Sequence, residues 1–138
     1  MTIDVTKGRA KPNIMLSAED YDRLSFLAHA ARKRFPDLAD ELSDEIGRAQ
    51  VAVNSSELQH VVRMNSAVEF RDDTTGKVQM VTLVYPEAAD ILQRKISVLT
   101  PIGTALIGLR NQDCITWEAR DGELRQLTVL SVKGPQNT

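Results

Sequence analysis

A single cysteine, Cys114, rules out an internal disulfide, and nothing in the chain points to an oxidising compartment. Lying in the apolar run Cys114-Ile115-Thr116-Trp117, it reads as a small core residue. Histidine is almost as scarce. His29 falls inside a helical pattern and His60 in a linker, with neither metal-ligand spacing nor a nucleophile motif beside them, so no enzyme, metal site or cofactor is expected. No stretch approaches the roughly 20 apolar residues of a membrane span, and the first residues, with Asp4 and no apolar block, do not make a secretory signal. A cytoplasmic protein with no membrane partner is expected. Basic excess is missing too. A formal net charge of -2 and an isoelectric point near 5.7 leave no electrostatic footprint for nucleic acid, so direct sequence-specific DNA binding is not expected and a protein partner is favoured. The basic cluster Arg32-Lys33-Arg34 is read as cations at a helix C-terminus, where the last carbonyls favour positive charge.

What is present is enough for one ordinary core: 138 residues, 42% of them hydrophobic. Residues 1–13 mix Gly, Pro, Lys and Thr without periodicity and read as a flexible lead-in. Ser17-Ala18-Glu19-Asp20 then has capping-box spacing, with Asp in place of the usual Glu or Gln. Tyr21, Leu24, Leu27 or Ala28, and Ala31 recur at helical spacing, and after Phe35-Pro36 a second stripe follows at Leu38, Leu42, Ile46 and Ala49. Asp40, Glu41, Asp44, Glu45 and Arg48 decorate the other sides of that second helix. Each seam is narrow, so each is expected to be buried against the other in an antiparallel helical hairpin, a short coiled coil, over residues 14–53.

From residue 54 onward the pattern changes to short β-rich runs at Val61–Phe70, Lys77–Tyr85, Lys95–Leu99, Cys114–Glu118 and Leu124–Val132. Asp72 to Gly76 suits the first hairpin turn and Asp121-Gly122 the last. The fold class is therefore α+β: the hairpin, then residues 54–138 as an antiparallel β-sheet domain with one short helix. That helix lies in Thr100 to Asp113. Thr100-Pro101 suits an N-cap followed by proline at the first helical position, and Gly108 falls where a left-handed C-cap belongs, with Leu109 free to fold back on the helix. Gly103 and Gly108 lack the Lys-Ser/Thr of a phosphate-binding loop.

Several motifs then occur in one order: Met64-Asn65-Ser66 leading into Val68-Glu69-Phe70, Thr82-Leu83-Val84-Tyr85-Pro86, Ile96-Ser97-Val98-Leu99-Thr100-Pro101-Ile102-Gly103, Ala105-Leu106-Ile107-Gly108-Leu109 and Asp113. With them the segment from Met64 to Val132 resembles the C-terminal domain of the bacterial GreA/GreB transcript-cleavage factors. The closer resemblance is to their relatives, the nucleoside diphosphate kinase regulators (Rnk), a branch that Arg48-Ala49-Gln50 also fits.

The resemblance implies an FKBP-like C-terminal domain that grips the rim coiled coil of the RNA polymerase β′ subunit, with Leu99, Thr100, Pro101, Ile102 and Gly103 as the contact. Leu99 stands where many Gre factors have an acidic residue. Both an apolar rim contact and inward packing remain open for it. At the hairpin tip, Phe35, Pro36, Asp37, Asp40 and Glu41 occupy the place where Gre factors carry carboxylates that help hold a catalytic magnesium ion. The alternative role for those acids is to stabilise the N-terminus of the second helix.

Reach separates the two roles. A helix from Ser17 to Arg34 would span only on the order of 27 Å at about 1.5 Å per residue, short beside the Gre hairpin. The expected protein is thus a monomeric regulator that binds RNA polymerase near its secondary channel and competes with Gre-type factors without cleaving transcript. The rival readings are Gre-like stimulation of cleavage and direct regulation of nucleoside diphosphate kinase. Prolyl isomerisation, suggested by fold analogy, is disfavoured by an aromatic content of 4%, which leaves little for a proline pocket.

Overall fold

The computed structural model describes residues 12–119 and 121–135. The lead-in expected over residues 1–13 lies, as far as residue 11, outside the described residues. The first elements among the described residues are a two-residue strand, β1 (Met15–Leu16), and the helices α1 (Ala18–Ala31) and α2 (Pro36–Gly47). A second short strand, β2 (Gln50–Val51), pairs parallel to β1 and ties the two ends of the helix pair together. Then come β3 (Ser66–Asp72), β4 (Val78–Val84), β5 (Lys95–Ser97), α3 (Pro101–Leu106), β6 (Cys114–Glu118) and β7 (Leu124–Pro135).

α1 starts where Ser17 caps it, its hydroxyl accepting the Asp20 N–H at 3.0 Å. The other half of the capping box is not made with Ser17. The shorter Asp20 carboxylate turns instead toward the sheet domain, accepting the Met64 N–H at 3.3 Å and the Tyr85 hydroxyl at 3.2 Å. α1 ends at Ala31, before the expected Arg34, because the chain turns through residues 32–34. Pro36 then opens α2 at a position where a missing N–H costs nothing, so it is part of the helix and not of the turn.

The five main strands form a sheet in the order β5-β4-β3-β7-β6. It is mixed, which corrects the antiparallel sheet expected from the strand pattern: β5 runs parallel to β4, with Thr82 opposite Lys95 and Val84 opposite Ser97. Direction here is set by the connection. Residues 85–94 pass through helical turns at Pro86–Ala88 and Ile91–Gln93 and return to the middle of β4 before β5 begins, where a tight hairpin would have reversed it. The first strand also starts later than its apolar run suggested. Asn65, in the left-handed region at φ 72°, interrupts the run, and Val61 and Val62 pair instead with the stretch after α3, through the Val62 N–H to Leu109 carbonyl bond at 2.7 Å.

The apolar seams of the helices are not buried against each other alone. Leu24, Ala28, Leu42 and Ile46 belong to one core with Phe70, Leu83, Leu106, Ile115, Leu127 and Val129 of the sheet domain. Ile14 and Leu16, just before α1, join the same core. The helix pair is therefore mounted on the sheet domain through shared apolar packing, and this fixes where α2 lies relative to the helix that follows β5.

Candidate functional site

The segment from Ser97 to Gly108 is held by its own short polar side chains. The Leu99 N–H bonds the Ser97 hydroxyl at 2.9 Å, and the Thr100 hydroxyl donates to the Ser97 carbonyl at 2.7 Å while accepting the Gly103 N–H at 3.0 Å. Thr104, one turn on, donates to the Val98 carbonyl at 2.9 Å. The segment is thus fixed before any partner arrives. Gly103 is required by contact: a Cβ there would overlap the Ser97 carbonyl oxygen and lie 2.8 Å from the Val98 Cα. α3 can lie this close to the end of β5 only because that position carries no side chain.

Gly108 serves a related purpose by different geometry. The expected C-cap is a turn instead: Ile107 at φ -58°, ψ 130° and Gly108 at φ 81° form a type II turn closed by the Leu109 N–H to Leu106 carbonyl bond at 3.2 Å. A Cβ on Gly108 would meet the Ile14 Cβ at 2.7 Å, so this glycine also lets the chain before α1 dock.

Leu99, Pro101 and Ile102 are half-buried, Thr100 likewise, and Gly103 is buried. Leu99 and Ile102 pack against the main core, so Leu99 turns at least part of its side chain inward. Beside them lies a hollow of about 220 Å³ walled by Ile96, Pro101, Ile102 and Trp117. Of the tip residues, Phe35 is 44% exposed under the Arg34 guanidinium, and Asp40 forms an ion pair with Arg32 at 3.7 Å.

In the sequence the tip acids and the segment from Leu99 to Gly103 are distant. The fold brings them together: Asp37, Asp40 and Glu41 line the same hollow as Pro101, with Glu118 and Ala119 on the far side. Asp44 continues that acidic wall opposite Pro101, Thr104 and Trp117, while Glu45, expected on the outer side of the helix, is buried at its base and paired with Arg48 at 2.8 Å. The signal was in the spacing, since residues 37, 40, 41, 44 and 45 repeat at the period of one helix face. Phe35 and Pro36 do not line it.

Sequence reasoning missed a second constellation, the junction of α1 with the sheet domain. Asp20 bonds Met64 and Tyr85, and the Arg23 guanidinium lies 4.1 Å from the centre of the Tyr85 ring. Burial pushes the Asp20 carboxyl above the usual carboxylate value, although its hydrogen bonds to Met64 and Tyr85 pull the other way. Tyr85 is raised as well, by burial first and by the nearby Asp20 charge second. The replacement of Glu by Asp in the capping box was the sequence trace of this contact.

Cys114 is exposed, not a core residue: it begins β6 at the edge of the sheet, and its thiol lies 3.8 Å from the Asp73 carboxylate. That carboxylate also accepts the Thr128 hydroxyl at 2.6 Å and pairs with Arg71 at 2.7 Å, and the Thr128 bond is the first cause holding its carboxyl below the ordinary value. His29 and His60 are both exposed and lie on different elements. No helix among the described residues is long and apolar enough to cross a membrane.

Residues 57–134 match the family model described as the C-terminal part of transcription elongation factor GreA/GreB, and residues 12–51 match the Rnk N-terminus model. The chain is 37% identical over 125 residues to the regulator of nucleoside diphosphate kinase of Escherichia coli, spanning 90% of this chain and 91% of that protein. Similarity to the transcription inhibitor protein Gfh1 of Thermus thermophilus is 32% over 124 residues, or 88% of this chain and 78% of the other. Among solved structures, a GreA/GreB elongation factor from Nitrosomonas europaea superposes with a TM-score of 0.69 at 37% identity, covering 89% of this chain and 99% of that one.

Proposed function

The chain belongs to the GreA/GreB transcription elongation factor family, and from that premise we propose that it is a non-enzymatic regulator of RNA polymerase. It docks near the secondary channel through Leu99, Thr100, Pro101, Ile102 and Gly103, on the rim coiled coil of the β′ subunit. It competes there with Gre-type factors and does not promote cleavage of the transcript. Occupancy is the mechanism.

The observation that carries this reading is the length of the helix pair. α1 has 14 residues, about 21 Å at about 1.5 Å per residue. A carboxylate at the end of so short a lever stays far from a metal buried at the inner end of the channel, while the body of the protein still covers the channel's rim. Two features of the acids agree. Asp37, Asp40 and Glu41 face back toward Pro101, and Asp40 is engaged with Arg32. The name of the Thermus relative, a transcription inhibitor, fits a family member that binds without assisting cleavage.

Pull-down of core polymerase and of a β′ rim deletion tests the site. Retention of the intact enzyme and loss of the deleted one is the expected outcome, and equal retention of both rejects the rim. The cleavage reading requires that backtracked complexes shorten their RNA when the chain is added and that Asp40→Ala abolishes the effect.

Direct regulation of nucleoside diphosphate kinase is the second reading, favoured by the name of the Escherichia coli relative. Binding to purified kinase in the absence of polymerase supports it, and no binding removes it.

A further inference from the structure

A groove runs between α2 and the sheet domain, and its two walls differ in chemistry. On α2, Asp37, Asp40, Glu41 and Asp44 are exposed and share one face of the helix. Across from them stand Pro101 and Trp117, with Glu118 beside them at the acidic end and Ile96 and Ile102 beyond at the apolar end. Pro101 borders each hollow of the series, and Pro101 and Ala119 line both the acidic part, about 660 Å³, and the apolar part, about 220 Å³, so the two are adjacent. No lysine or arginine is among the described residues that line these hollows; from outside them Arg32 pairs with Asp40 at 3.7 Å and Arg48 with Glu45 at 2.8 Å.

We infer that this groove binds a basic polypeptide segment of a partner protein, with Lys or Arg side chains against the α2 carboxylates and an apolar side chain seated between Pro101 and Trp117. Charge complementarity selects the occupant. Carboxylates on successive turns of one helix face repel each other, and a cationic segment laid along them removes that repulsion. A nucleic-acid strand would meet the same carboxylates with its phosphates and is excluded as the occupant. A purely apolar segment would shield the α2 carboxylates from water while bringing no charge of its own, which is costly.

The division of labour follows from the two walls. The apolar wall supplies burial and residence time, and the acidic wall supplies steering and orientation, which makes its contribution sensitive to salt. The inference rests on the docking role proposed for Leu99 to Gly103 and adds α2 to that surface. The helix pair then contributes to binding through its flank, close to the body, and does not need to reach into a channel.

The test is the affinity of the labelled full chain for core RNA polymerase at low and at high salt. The double variant Glu41→Gln/Asp44→Asn keeps side-chain size and removes charge from exposed positions, and Asp22→Asn removes an exposed charge on α1 as a control. The double variant is expected to weaken binding at low salt about tenfold and to flatten the salt dependence, with Asp22→Asn indistinguishable from the parent. Asp44→Lys is expected to weaken binding further.

If the double variant binds like the parent with an unchanged salt dependence while Pro101→Asp still weakens binding, the acidic wall is not used and the inference falls, leaving the docking reading intact. If Pro101→Asp has no effect either, the docking reading falls with it. An equal loss for Asp22→Asn would mark a diffuse charge effect and also overturn the inference.

Discussion

The outer face of α2 and the sheet domain use polar residues in opposite ways. In the sheet domain they are turned inward on the chain itself: Thr100, Thr104, Ser97 and Asp73 spend their hydrogen bonds fixing loops and strand ends. On α2 the apolar residues Ala39, Leu42 and Ile46 are buried, and the acidic residues at positions 37, 40, 41 and 44 are left on the exposed side, facing the groove. One region sets the shape of the surface and the other sets its charge. The shared core holds them side by side, and disturbing either should have different consequences for stability and for binding.

The largest effect is expected in the core that joins the two regions. Leu42 is fully buried within it. Leu42→Ala is expected to cost about 2–5 kcal/mol, the range for a large-to-small core change. Because the core is shared, chemical denaturation should show one transition moved to lower denaturant in both far-ultraviolet circular dichroism and Trp117 fluorescence. Two separated transitions, with the Trp117 signal unmoved, would mean that the helix pair is an independent attachment.

Next in size is Gly103→Ala, which drives a methyl group against backbone atoms of Ser97 and Val98 that cannot swing away. A loss of about 3 kcal/mol is expected, at the upper end of overpacking. The same protein should lose affinity for polymerase, since α3 and the segment before it must shift. Stability within experimental error of the parent would show that the tight approach is not needed.

Asp20 probes the polar part of the joint. Asp20→Ala removes the acceptor from the Met64 N–H and the Tyr85 hydroxyl and is expected to cost about 1–3 kcal/mol. Asp20→Asn keeps an oxygen acceptor and removes the half-buried charge, so it should be at least as stable as the parent at neutral pH. The pH dependence has a definite sign. Burial raises this carboxyl above its unfolded value of 3.8, so the folded protein holds the proton more tightly than the unfolded chain does. Its contribution to stability is fully present below 3.8 and is lost as pH rises through the folded value. The parent-minus-Asn difference in melting should therefore shift in favour of the parent as the solution is acidified from neutrality, and a shift the other way contradicts the assignment.

The smallest effect on stability is expected at Asp44. Asp44→Asn lies on the exposed face of α2 and should change stability by no more than about 0.5 kcal/mol. Its effect should appear in binding alone. A large loss of stability would place Asp44 in the structural network and remove the contrast between the regions.

Much of this was legible in the chain. Alternating apolar residues located β3, β4 and β7, and Thr100-Pro101 marked the start of α3, because these signals are local. Strand direction was not local: β5 joins β4 in parallel because of how residues 85–94 return, and that return is set by Pro86 and two helical turns packed in three dimensions. The strands β1 and β2, at two residues each, are too short to show a period. Cys114 was misread for a related reason, since an apolar strand at the edge of a sheet still has an exposed first residue.

The helix start at Thr100-Pro101 was legible residue by residue, yet its proximity to Asp37, Asp40 and Glu41 was not. That proximity depends on the core that seats α2 beside α3. The Asp in the capping box shows how a local irregularity signals a distant contact: it breaks a helix-start pattern at Asp20 because Met64 and Tyr85 use the carboxylate.

Occupancy of the polymerase without chemistry is tested most directly by adding the chain to a backtracked core complex carrying a fluorescently labelled Gre factor, and following the label and the RNA length together. The expected result is release of the labelled factor in proportion to added chain, with the RNA staying at full length. A labelled factor that stays bound at saturating chain, or RNA that shortens when the chain is present alone, would contradict it.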